Sequence, residues 1–324
     1  MISRKAALLS LVAVAPLAFA GCASEDAEAD PNAATIEVED NFGTVEVASP
    51  PSRVVATDNR LFETLSDWGV ELVAAPVPLI PESSGYFGDD GIVDLGLHTE
   101  PDLEAVVAAE PDLIVNGQRF ADYQEDFASL APDAAIVSLD PREGEPLDEE
   151  LKRQVTVLGE IFDKQDEAQA LADELDAAVE RAAAAYDAAD TVMAVNVSAG
   201  EIGYLAPGVG RTLGPVFDLL GLSPALEVDG SSDDHQGDDI SVEAIASAEP
   251  DWILVLDRDA PLTTQDGSYV PAAEAIEGSQ ALAGVPAVEE DQIVYMPTDT
   301  YLNEGIQTYI EFLDGFADAL EGAA

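Results

Sequence analysis

Two arginines occupy the same place in a repeated stretch of this chain. Residues 100–119 read EPDLEAVVAAEPDLIVNGQR and residues 239–258 read DISVEAIASAEPDWILVLDR, 139 positions apart and aligned without a gap. Eight positions are identical, among them the pairs Glu104/Glu243, Pro111/Pro250, Asp112/Asp251 and Arg119/Arg258. A guanidinium carries a planar fork of donors that matches paired anionic oxygens. A third arginine, Arg211, follows the turn-like stretch YLAPGVG (204–210) and opens a helical segment. Three such forks facing one cleft suit a compact polyanion; the alternative for each is a structural salt bridge to one of the 66 acidic residues. Tyr204, at the head of that stretch, is grouped with them as a ligand contact. Arg53 and Arg60, beside a strand start and a strand-to-helix loop, are weaker candidates.

Two further residues have metal-ligand chemistry. His235 sits in SSDDHQGDD, a polar loop with no apolar neighbours to pack against, and is a candidate ligand. Tyr301, in PTDTYLNEG, follows the last strand-like run, and a phenolate is a hard oxygen donor suited to Fe(III). A plain surface tyrosine is the alternative. His98, in LGLHTEPD, reads as a turn residue. Catalytic templates fit poorly: there is no GxSxG, no Walker loop, no HExxH, and the only cysteine is Cys22. The segment GVGRTLG (208–214) lacks the GxGxxG spacing of a dinucleotide site.

These residues need elements that hold them. Each repeat copy shows a helical apolar pattern, a Pro-Asp break, a buried-strand run (LIV or WILVL) and a turn. Each arginine therefore stands at a strand's carboxyl end, where open α/β sheets bind ligands. Two such units predict an α/β fold of two Rossmann-like lobes with a ligand cleft between them. Strand-like runs at 44–47, 53–57, 71–77, 133–140, 191–200 and 251–259 alternate with helical segments such as LFETLSDWGV (61–70). QIVYMPTD is the last strand, and LNEGIQTYIEFLDGFADAL closes the chain as an amphipathic helix. Between the lobes, residues 148–188 contain no proline and are rich in Ala, Leu, Glu and Gln. They predict a long interlobe helix, possible breaks being Gly159 and 163–166. The lobes are expected at 36–147 and 189–324, with small movements rather than a wide hinge closure. Arg142, Lys152, Arg153, Lys164 and Arg181 fall in or near that helix and are expected to pair with neighbouring acids.

At 324 residues and 47% apolar content the chain can bury about two cores. Its formal net charge of −54 repels nucleic acid and anionic membrane. So extreme a charge points to a solvated surface built for high salt, the alternative being an ordinary acidic extracytoplasmic protein. Arg4 and Lys5 precede an apolar run, Ala6–Ala20, too short for a comfortable membrane span. Phe19-Ala20-Gly21-Cys22 resembles a bacterial lipobox. Residues 1–21 then read as a lipoprotein signal, Cys22 as the lipidated residue of an extracytoplasmic protein, and 22–35 as an acidic tether.

From GTVEVASPPSRVV and TLSDWGVELV through the two repeat copies, residues 36–322 resemble the class III solute-binding proteins of ABC importers, specifically the iron–siderophore group, and most of all the catecholate binders. The resemblance implies two Rossmann-like lobes joined by a long helix. It implies a cleft in which Arg119, Arg211 and Arg258 contact catecholate oxygens, and His235 and Tyr301 complete the iron shell of a ferric siderophore that supplies only four donors. It further implies that Glu104 and Glu243 dock onto the two-fold permease, ordinary surface glutamates being the alternative. The expected protein is a monomeric, non-enzymatic lipoprotein with no intrinsic cofactor. Its rivals are the same fold binding haem or cobalamin, a two-lobed α/β enzyme, and an acidic scavenger of divalent cations.

Overall fold

The computed structural model describes residues 34–97, 100–262 and 269–323. The signal segment 1–21, Cys22, the tether as far as residue 33, and His98 lie outside the described residues. Residues 34–324 form one compact unit. No helix among the described residues is long and apolar enough to cross a membrane.

The chain enters through an antiparallel hairpin, β1 (Thr35–Asp40) and β2 (Gly43–Ala48). Asp40 closes its turn by accepting from Phe42 N at 2.7 Å and Gly43 N at 2.9 Å. A first sheet follows: β3 (Val54–Ala56), α1 (Phe62–Asp67), β4 (Leu72–Ala75), β5 (Val93–Asp94), α2 (Leu103–Ala108), β6 (Leu113–Asn116), α3 (Gln124–Leu130) and β7 (Ala135–Ser138). Its order is β5-β4-β3-β6-β7, with every pairing parallel. Every residue of β3 and β6 is buried, as expected of parallel strands covered on both faces.

The helical stretch predicted at 148–188 is two helices, α4 (Leu147–Phe162) and α5 (Gln165–Ala185), packed against each other. Asp163 turns the chain with a left-handed φ of 57°. A Cβ on Gly159 would lie 2.7 Å from the Ala168 Cβ, so glycine permits the close return. Only α4 joins the lobes: Leu151 and Val155 enter the second lobe's core, while Val157, Leu158 and Ile161 enter the first's. Ala168, Ala178 and Ala182 of α5, with Leu175, belong to the second core alone.

The second lobe runs β8 (Thr191–Ser198), β9 (Glu201–Leu205), α6 (Gly214–Leu220), β10 (Ser223–Pro224), α7 (Val242–Ala248), β11 (Trp252–Asp257), α8 (Ala272–Glu277), α9 (Pro286–Glu289), β12 (Ile293–Tyr295) and α10 (Ile306–Ala323). Its sheet order is β10-β8-β11-β12, with β9 antiparallel beside β8. By its pattern the stretch from residue 204 reads as a turn, with no strand over EIGYL. The structure instead folds it back as β9 through Ala199 and Gly200, both at positive φ. The repeat is reproduced in three dimensions. Asp102 caps α2 through Ala105 N at 3.0 Å, and Ser241 caps α7 through Ala244 N at 3.2 Å. Asp112 accepts from Ser52 N and Arg53 N at the head of β3 (2.8 and 2.9 Å), and Asp251 accepts from Thr191 N at the head of β8 (2.7 Å).

Candidate functional site

Ten cations remain beyond Arg4 and Lys5, and the structure divides them sharply. Lys152, Lys164 and Arg181 pair with acids on helix surfaces, and Arg142 and Arg153 both hold the buried Glu150. Arg53 donates through Nε to the carbonyls just past α2, Ala109 O and Glu110 O, at 2.9 and 2.8 Å. Arg60 is clamped by Asp58 and Asp140, at 2.6 and 2.5 Å. The weaker candidates Arg53 and Arg60 are thus structural.

The remaining three converge on one ring. The guanidinium carbons of Arg119, Arg211 and Arg258 lie 5.5, 4.8 and 4.7 Å from the centroid of Tyr301. Such cation–π contacts suit a ring whose face is electron-rich. Arg119 leaves the carboxyl end of β6 through Gly117 and the positive-φ Gln118, in the 3₁₀ turn Gln118–Tyr123. Gly117 has no room for a side chain, because a Cβ there would lie 2.5 Å from Asp58 Oδ2. Arg258 leaves β11 in the equivalent place and is held by Asp259 at 2.7 Å and by Ser198 Oγ at 3.3 Å. Arg211 precedes α6 and pairs with Glu304 at 3.2 Å. Arg119 makes no ion pair among the described residues.

Tyr301 itself is 6% exposed and rests against Leu79 and Leu302. Burial pushes its phenol up. The hydrogen bond from Arg119 and the charges of Arg258, Arg211 and Arg119 outweigh that, so the phenol ionises below its ordinary value. Its loop belongs to the second lobe yet is fastened to the first. Asn59 Nδ2 donates to Leu302 O at 2.6 Å, Asn303 Nδ2 to Glu63 at 2.6 Å, and Thr64 Oγ1 to Gln307 Oε1 at 2.9 Å. Ser83 Oγ also donates to Asp299. A Cβ on Gly305 would lie 2.5 Å from Arg60 O, so this crossing too depends on glycine. The ring is therefore fixed where the lobes meet, with Arg119 arriving from one side and Arg211 and Arg258 from the other.

The other sequence candidates fall elsewhere. Tyr204 is a core residue rather than a cleft residue. It is 1% exposed on β9, and its hydroxyl donates to Leu226 O at 2.5 Å. Burial, with Glu227 and Asp238 nearby, pushes its phenol up to about 12. The turn that presents Arg211 begins after it. His235 is exposed on its loop; Nδ1 lies 3.9 Å from Asp234, while its backbone carbonyl accepts from Asn196 Nδ2 at 3.2 Å. Among the described residues no three or more His, Cys, Asp or Glu side chains gather as a metal cage. Glu104 and Glu243 are exposed at matching second positions of α2 and α7. Sequence reasoning missed Glu304 and Asp259, the carboxylates beside two of the arginines. Among 66 acids nothing in the sequence marks either, although Asp259 directly follows Arg258.

A model of the periplasmic binding protein family matches residues 54–300. The ferric-anguibactin-binding protein FatB of Vibrio anguillarum is 28% identical over 298 residues, 90% of each chain. The petrobactin-binding protein YclQ of Bacillus subtilis is 26% identical over 331 residues, 98% of this chain and 99% of its own. The crystal structure of YclQ superposes with a TM-score of 0.75, covering 89% of this chain and 99% of that one at 24% identity. A TroA-like periplasmic binding protein of Xylanimonas cellulosilytica superposes with a TM-score of 0.74 at 26% identity, covering 88% and 98%.

Proposed function

The chain belongs to the periplasmic binding protein family, and from that premise we propose that it captures a ferric siderophore of catecholate type outside the cell and hands it to an ABC importer. The family is one of binding proteins, not enzymes. The observation that carries the ligand class is the meeting of Arg119, Arg211 and Arg258 around the buried Tyr301. Nε of Arg119 and Nε of Arg258 are buried without a hydrogen-bond partner among the described residues. A buried donor left unpaired costs about 1–3 kcal/mol, which anionic catecholate oxygens would relieve. The names of FatB and YclQ, which bind ferric anguibactin and petrobactin, favour iron chelates over haem or cobalamin.

In this reading Tyr301 has two parts to play. Its ring gathers the arginines, and its readily ionised phenol supplies a hard oxygen to iron when the siderophore leaves positions open. His235, on a loop of the second lobe, is the second such donor. Glu104 and Glu243, alike in exposure and helix position, are the contacts to the permease. The lipid anchor is assigned to Cys22 from the leader sequence, and the protein acts as a monomer.

The test is fluorescence quenching of the mature protein in high salt, titrated with ferric bis-catecholate, ferric tris-hydroxamate, haem and cobalamin. Arg119→Ala/Arg258→Ala is measured alongside. Ferric catecholate binding that weakens by at least about 100-fold in the variant is the expected result, each buried charged contact contributing on the order of 1.5–3 kcal/mol. Haem or cobalamin binding indifferent to the variant would overturn the ligand class.

A further inference from the structure

Two of the three arginines at Tyr301 already have a carboxylate before any ligand arrives. Arg211 lies 3.2 Å from Glu304 and Arg258 lies 2.7 Å from Asp259, whereas Arg119 has no acid at ion-pair distance among the described residues. Three guanidiniums less two carboxylates leave one net positive charge around the ring. Arg60 next to it adds no positive charge, since it is held by two carboxylates, Asp58 and Asp140. Glu304 is held in place rather than loosely apposed: its side chain is 14% exposed, and Tyr309 Oη donates to its Oε1 at 3.3 Å. The same hydroxyl proton is shared with Thr212 O at 3.0 Å, next to Arg211. A site that faces an anion while keeping two fixed carboxylates beside its cations attracts low charge and opposes high charge. The whole chain, at −54, pushes in the same direction.

We propose that this site selects ferric complexes carrying about one negative charge over trianionic ones, and that Glu304 is the residue that sets the preference. The proposal rests on the siderophore reading above and narrows it. Iron(III) with two catecholates carries one negative charge, and with three catecholates it carries three. A chelate with two catecholates, or one mixing catecholate with neutral or singly charged donors, fits the site; a tris-catecholate is disfavoured. Glu304 acts through Arg211 by neutralising part of its charge, while Asp259 does the same for Arg258.

Three iron(III) complexes test this in wild type, Glu304→Gln and Asp259→Asn at one fixed salt concentration: the neutral tris-hydroxamate, the monoanionic bis-catecholate and the trianionic tris-catecholate. Wild type is expected to bind the monoanion at least about tenfold tighter than the trianion. Glu304→Gln keeps the side-chain shape and is expected to shift that ratio about tenfold toward the trianion, the scale of one partly screened charge at close range. A ligand-free readout accompanies it: the ultraviolet titration of Tyr301, isolated by difference against Tyr301→Phe. That phenol is expected to ionise at lower pH in Glu304→Gln, because Arg211 then acts on it less compensated. Equal wild-type affinity for monoanion and trianion, or a ratio unmoved in Glu304→Gln, overturns the proposal and leaves the siderophore reading standing. A shifted Tyr301 titration with no ferric complex bound by wild type sinks the siderophore reading, yet supports Glu304 as the residue setting the site's charge.

Discussion

Tyr301 lies beneath three guanidiniums, and its protonation should be visible in ligand binding. If its phenolate reaches iron, binding below the phenol's pKa must release a proton. Affinity then rises with pH by up to about tenfold per pH unit and levels off above that pKa. The three arginines move the plateau to lower pH than an ordinary tyrosine would allow. Tyr301→Phe keeps the ring on which the arginines rest, so we expect a folded protein that binds ferric bis-catecholate about tenfold more weakly and without the rise in affinity that ionisation of the phenol gives. Titrations at several pH values check this. Wild-type affinity with an unchanged profile would confine Tyr301 to holding the arginines. Arg119 and Arg258 were legible in the sequence because a repeat put them in matching places. Glu304 was not, since its role exists only where α10's approach meets the arginine before α6. Tyr204 misled because a tyrosine beside a glycine-rich turn looks the same whether its strand faces a cleft or a core.

At the scale of elements, the repeated α–loop–β unit explains why Pro-Asp recurs. Asp112 and Asp251 each reach 60 residues back to fasten the head of the central strand, through Ser52 and Thr191. Replacing Asp251 by alanine strands the Thr191 N–H and hydroxyl, and should lower stability by about 1–3 kcal/mol even though it reduces the net charge. Denaturation of Asp251→Ala and Asp112→Ala in high salt measures it; a gain in stability would mean that relief of repulsion outweighs the latch. The helix pattern at 148–188 and its candidate breaks at Gly159 and 163–166 were legible in the sequence, but the folding back of the second piece onto the first was not. Proline is absent there, and the break is made by Asp163 in a left-handed conformation with Gly159 allowing α5 to fold back. Strand β9 escaped notice because five residues between glycines carry little periodicity.

For the whole molecule, the acidic surface and the cationic centre act against each other on an approaching anion. The Debye length is about 10 Å at 0.1 M salt and about 3 Å at 1 M, so added salt removes the distant repulsion before it weakens the close contacts. Stopped-flow association of ferric bis-catecholate should therefore accelerate between those salt concentrations, and the unfolding midpoint should rise with it. Association that slows with salt would show the arginine centre governing the approach. The sequence by itself determined the α/β class, the two related units and the place of two arginines at strand ends, because periodicity and repetition are local properties carried by neighbouring residues. Tertiary structure alone decided that Arg119, Arg211 and Arg258 share one tyrosine and that two of them keep a carboxylate. It also decided that the loop bearing that tyrosine is fastened to the opposite lobe. Apart from the neighbours Arg258 and Asp259, these are contacts between residues tens to hundreds of positions apart, and in a chain so rich in acids packing selects which few of them stand beside a given cation.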